Sequence, residues 1–246
     1  MKKLNYQQVK SIFQNAILLS GFAMFCVAPM FYHNLKIWVN TNDQLSPENF
    51  QQLYLNQLCL FFILVFLCSI VGFLYQTRFN LHFGRFKQIK GWAMVGGIMG
   101  LLATPLLYFS IDSLLLTVRP DLYLLSSPFA IAEMLGSAIS QEIILRFGLL
   151  TLFIYFSRLF KIQFYFPMVF LISSFTLFNI YQFLVNYQVI EYISTSTLYS
   201  LLASAFLLQC LLCYIYLYFG LIAVIAFHVM FNIRFLIYAL FFTTIN

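Results

Sequence analysis

The sequence predicts an all-α fold, a multi-pass transmembrane bundle of about seven helices, on three observations. Of its 246 residues, 63% are apolar and only 8% are charged, where a soluble domain averages about 45–50% and about 25%. Mean hydropathy is +0.91. Apolar runs near the ~20 residues needed to cross a hydrocarbon core recur at about 11–31, 58–75, 91–111, 128–157, 163–184, 198–219 and 220–243. There is too little polar surface for a soluble, disordered, fibrous or disulfide-stapled chain. An aromatic content of 20% suits a protein that meets the bilayer interface.

The first run follows Lys2 and Lys3. Polar residues Asn5 to Gln8 separate them from the apolar stretch, and Pro29-Met30-Phe31 is no small-residue cleavage site, so an uncleaved helix is expected over a signal peptide. Ser46-Pro47 before the second run and Ser127-Pro128 before the fourth read as an N-cap with proline at the first helical position. Gly96 and Gly100 in the third run form a small-xxx-small pair, a signature of close helix packing. The fourth run extends about 30 residues, or ~45 Å, which requires tilt or a bend, with Gly136 and Gly148 the expected places. Cys210 and Cys213 have a metal-like spacing but no partner pair. With Cys26, Cys59 and Cys68, they read as soft apolar filler.

Charge orients the bundle. With the amino terminus inside, the inner loops collect Lys2, Lys3, Lys10, Arg78, Arg85, Lys87, Lys90, Arg158 and Lys161, against Lys36 and Arg119 outside. The bias of nine to two follows the positive-inside rule. The formal charge of +6 is therefore a topology signal and not a nucleic-acid surface. The lipid bilayer is the expected partner, and a cytoplasmic amino terminus in an integral membrane protein is the expected placement. The chain divides into N-terminal helices over 1–124, comprising three spans, and a core over 125–246.

Ionisable groups inside a membrane span are costly and mark function by default. Here they are Glu133, Glu142, Arg146, His228 and Arg234, accompanied by the amides Gln141, Asn179 and Asn232. Glu142 and Arg146 stand four apart on one helix face, acid before base, which favours a pair. Gln141 points ~100° away from Glu142 toward a neighbouring face. His228 and Asn232 share a face by the same four-residue spacing. At ~1.5 Å per residue from the inner ends, Glu142 and Asn179 lie ~24 Å deep and Asn232 ~18 Å. Three helices are thus expected to bring their polar groups to one intramembrane pocket. Glu133 is expected to snorkel near the outer end of its helix. Arg234, off the His228 face, is expected to pair with Asp112 in a structural role, and His33 and His82 to be ordinary loop residues. A catalytic zinc takes three protein ligands. His228 and Glu142 leave that set one short, so no metal or other cofactor is expected.

Three segments, Gln141-Glu142-x-x-x-Arg146, Phe175-x-x-x-Asn179 and His228-x-x-x-Asn232, resemble in order and spacing the motifs of the CPBP family of CAAX-prenyl-protease and Abi-like intramembrane proteases. The family pattern is Glu-Glu-x-x-x-Arg, Phe-x-x-x-His and His-x-x-x-Asn or Asp. The lead-in from Cys213 to Gly220 is similar to the run that precedes the last motif, and the resemblance covers roughly residues 125–235. It implies that the first Glu and first His hold and activate water, that the later His and Asn stabilise an oxyanion, and that the second Glu and the Arg organise the site.

Gln141 and Asn179 stand where the water-activating Glu and His should be. They keep hydrogen-bonding capacity but take no proton near neutral pH. The resemblance therefore implies a degenerate member, a pseudoprotease that binds a membrane-embedded protein or peptide. Bacteriocin self-immunity or regulation in a bacterial plasma membrane are the roles it suggests. Two other readings stay open: an active endopeptidase whose base is relocated to Glu142 or His228, and a small transporter lined by the intramembrane charges.

Overall fold

A computed structural model describes residues 5–42, 47–79, 89–107, 112, 127–160, 165–186 and 189–242. Among the described residues there is no strand, and helices account for nearly all of the chain. Hydrocarbon offers no partner for backbone N–H and C=O groups, and a helix satisfies them within the segment. In order the helices are α1 (Tyr6–Asn42), α2 (Pro47–Phe79), α3 (Ile89–Leu107), α4 (127–159), α5 (Phe166–Asn186), α6 (Thr195–Phe219), α7 (Leu221–Phe231) and α8 (Ile233–Phe242). Ser46 lies outside the described residues, as does His82, and Ser127 is itself the first residue of α4. A 3-10 turn, Val189–Tyr192, precedes α6, whose N-cap Ser194 accepts a hydrogen bond from Thr197 N at 3.2 Å.

Five helices are long and apolar enough to cross a membrane: Tyr6–Lys36, Asn49–Tyr75, Phe129–Leu159, Thr195–Phe219 and Leu221–Leu240. They make the chain an integral membrane protein. Two further apolar helices are shorter, Gly91–Pro105 and Phe166–Gln182. The expectation of seven full spans is therefore met in place by seven apolar helices but in length by five.

Outward faces carry large apolar side chains suited to lipid, among them Phe25 on α1, Leu60 on α2, Phe178 on α5 and Leu207 on α6. Two hydroxyls inside the bundle turn back on their own helices. Ser20 donates to Ala16 O at 2.7 Å and Thr176 to Ile172 O at 3.0 Å, so neither is left unsatisfied in an apolar setting.

α4 is the hub. Of its apolar window 61% is buried, against 22% for α1 and 28% for α2, and α1, α2, α5, α6 and α7 all pack on it. Glycines set how closely. A Cβ on Gly136 would stand 2.7 Å from Cys26 O on α1, and one on Gly148 2.5 Å from the Cys68 side chain on α2. Two stretches of α4, Glu133–Ser137 and Glu142–Leu150, are π-helical, each holding one of these glycines. Such wide turns occur often at functional sites.

The most extensive helix contact joins α3 to α7. Gly96 lies against the carbonyl of Ala223, and Gly100 against that of Phe227, closer than any side chain would permit. The small-xxx-small pair thus brings two backbones together, as its spacing predicts. Gly220, at φ 87°, turns the chain directly from α6 into α7.

Candidate functional site

The site grows from the second π-helical stretch of α4. Its first residue, Glu142, and Arg146 have no exposed surface. Glu142 Oε1 accepts from Arg146 Nη1 at 3.1 Å and lies 2.7 Å from His228 Nδ1 of α7. Against an ionised carboxylate, Nδ1 carries the ring proton and donates it. Arg146 reaches across to a third helix, where its Nη2 donates to Gln209 Oε1 of α6. One turn on, Thr151 Oγ1 donates to Arg146 O at 3.2 Å and meets the Tyr216 hydroxyl at 2.7 Å. A carboxylate, a guanidinium, an imidazole and an amide thus tie α4, α6 and α7 together. The clamp is not saturated, because Glu142 Oε2 and Arg146 Nε are buried without partners.

Beside the clamp lies a cavity of about 480 Å³, walled by residues of α4 to α8. Gln141 of α4, Asn179 of α5, Gln209 of α6, His228 of α7 and Asn232, at the break between α7 and α8, all face it. Adjacent residues 141 and 142 therefore part company: Gln141 is exposed on the cavity wall, and Glu142 is sealed behind it. Asn179 Nδ2 donates to Phe175 O at 2.9 Å, within its own helix. Asn232 Nδ2 donates to Ser137 Oγ at 2.9 Å, pinning the α7–α8 break to α4. The polar groups of the three sequence segments do meet around one space, with Glu142 and Arg146 supporting the wall from behind.

Two residues sit differently from their sequence-based expectations. Glu133 does not snorkel outward but lines the cavity. The expectation rested on its depth near the outer end of the helix, and depth does not say which neighbours a side chain meets. Arg234 pairs with buried Asp112, as expected, with Nε 2.9 Å from Oδ2. The approach is an ion pair and not an aligned hydrogen bond, since Nε has no hydrogen-bond acceptor. Tyr238 donates to the same Oδ2 at 3.0 Å. Yet Arg234 also reaches the cavity wall and donates to Asn232 Oδ1 at 3.1 Å, so its role extends past holding Asp112. His33 is not an ordinary loop residue either. It lies within α1, stacks on Phe129 with ring centroids 4.4 Å apart, and buries an unpartnered Nε2.

Sequence reasoning missed Gln209 and Ser137. Gln209 belongs to none of the three motifs, but a lone amide within the apolar run 198–219 is a signal of the same kind as Asn179. Ser137 lies four residues from both Glu133 and Gln141 on a helix already bearing the site, which the same ruler would have flagged. Cys213 and Cys210 are free thiols; the latter donates to Ser173 Oγ at 3.4 Å.

Chemically, the cavity wall presents amide groups that orient and hydrogen-bond but do not accept a proton near neutral pH. The groups facing the space that can take up a proton are the His228 imidazole, with one nitrogen committed to Glu142, and the Glu133 carboxylate. Among the described residues no group of three or more His, Cys, Asp or Glu is placed to hold a metal ion. No protein-family model, curated protein or solved structure matches the chain.

Proposed function

We propose that this chain is a degenerate CPBP-type intramembrane scaffold that binds a membrane-embedded peptide segment or partner without cleaving it. One observation carries the reading. Gln141, Asn179, His228 and Asn232, which occupy the family's motif positions, share one cavity, while the carboxylate next to Gln141 is turned into Arg146 and His228. The place where a general base would meet water holds an amide. Seven crossings with a cytoplasmic amino terminus in a bacterial plasma membrane, the bilayer as partner and a role in bacteriocin self-immunity or regulation complete the proposal. The basic inner loops support the orientation.

The test uses a fluorescent peptide of transmembrane length in lipid nanodiscs. The parent protein is expected to bind it without hydrolysis, and Leu208→Trp, which fills the cavity, to abolish binding. Restoring the family residues with Gln141→Glu and Asn179→His is expected to create peptidase activity, since a positioned general base contributes about 10²–10⁴-fold in rate. Cleavage by the parent that vanishes in Glu142→Ala would overturn the proposal.

A second reading is favoured by the 2.7 Å contact between Glu142 and His228. A carboxylate that fixes the proton on Nδ1 leaves the other ring nitrogen as an acceptor, the arrangement by which an oriented imidazole serves as general base. Under that reading His228→Gln removes a hydrolytic activity of the parent while binding persists.

A further inference from the structure

One acid on the cavity wall is left without a direct ion pair, although Arg234 lies near enough to act on it electrostatically. Among the described residues the Glu133 carboxylate accepts no hydrogen bond and joins no ion pair, although it lines the cavity. The hydrogen bonds of Ser137 and Arg234 beside it go to other acceptors. Ser137 Oγ gives its hydrogen to the Glu133 backbone carbonyl and itself accepts from Asn232. Arg234 Nη1 donates to Phe231 O at 2.7 Å and to Asn232 Oδ1 at 3.1 Å, while Nε faces Asp112. The Arg234 guanidinium is further held between the rings of Phe231 and Phe235, at 4.6 and 4.5 Å from their centroids. Arg146 is taken by Glu142 and Gln209. The bundle has therefore matched each of its interior arginines and left one acid open to the cavity. Within a span, an acid facing a cavity marks a binding or transfer path, and its countercharge comes from whatever enters.

We propose that the occupant of the cavity is a peptide segment bearing a cationic side chain, whose ammonium or guanidinium group pairs with Glu133 while Gln141 and Asn179 hydrogen-bond its main chain. This specifies the substrate class of the peptide-binding site proposed above and rests on that reading. A lysine or arginine inside a bilayer is itself costly unless it finds a carboxylate. Pairing there would satisfy acid and base together and select against neutral or acidic segments.

The experiment uses three apolar 20-residue peptides in nanodiscs that differ only at the central residue: lysine, norleucine or glutamate. The parent is expected to bind the lysine peptide at least about tenfold tighter than the norleucine one, with the glutamate peptide weakest, as for a desolvated charge pair. Glu133→Gln is expected to erase the lysine preference, bringing the lysine and norleucine affinities together. Glu133→Asp, which retains the charge, is expected to keep part of it and guards against misfolding of the first variant. A lysine preference that survives in Glu133→Gln overturns the proposal. Equal binding of all three peptides, lost in Leu208→Trp, overturns it too but leaves the peptide-binding reading standing. Failure of the parent to bind any of the three overturns both.

Discussion

Glu142 is the residue on which the buried clamp turns. With no exposed surface, it anchors Arg146 and His228 through one oxygen, and without it Arg146 would be a buried charge with no acid beside it and His228 would lose its Nδ1 partner. Removing one member of a buried ion pair typically costs about 3–5 kcal/mol, whereas replacing both with neutral groups of similar size is often near neutral. Glu142→Ala is therefore expected to lower stability by about 3–5 kcal/mol in equilibrium unfolding in mild detergent. Glu142→Gln combined with Arg146→Met is expected to recover most of that loss. The four-residue spacing of Glu142 and Arg146 made their pairing legible from the sequence. The imidazole as third member was not, because nothing in a single chain of letters says which face of α7 meets α4.

At the scale of helices, sequence reading succeeded where a physical rule is independent of local helix type and failed where it is not. Gly96 and Gly100 announce a close approach whatever helix lies opposite, and the approach is there, against α7. α4, where tilt or a bend is expected at Gly136 and Gly148, is π-helical over two stretches, each containing one of these glycines. A ruler of 3.6 residues per turn cannot anticipate an i→i+5 turn. Among the described residues α3 covers Ile89–Leu107 and α5 covers Phe166–Asn186, and their apolar stretches, Gly91–Pro105 and Phe166–Gln182, are shorter than the other five. Gly100→Val is expected to force α3 off the Phe227 carbonyl and destabilise the bundle by about 1–3 kcal/mol, the range for overpacking a tight contact. Thermal unfolding followed by the onset of aggregation reads it. The same substitution at Gly91, where a Cβ meets nothing within 4 Å, is expected to leave the transition nearly unchanged.

For the molecule as a whole, composition alone settled the all-helical, membrane-embedded class, and the number of crossings is what composition could not settle. An asymmetry of nine basic residues to two predicts that a cysteine placed at Lys161 is labelled by an impermeant maleimide only from the cytoplasmic side, and one placed at Arg119 only from the opposite side. The contrary pattern would invert the assigned orientation. Asp112 adds a long-range tie, since it holds Arg234 and Tyr238 from more than a hundred positions away in the chain. The contact of α3 with α7 reaches further still. Gly100 presses on the carbonyl of Phe227, the immediate neighbour of His228. A helix with no side chain at the ligand therefore sets the height at which the imidazole rides. Changes in recognition can arise from α3 alone, so a search for altered specificity confined to the lining of the void would overlook a natural tuning screw.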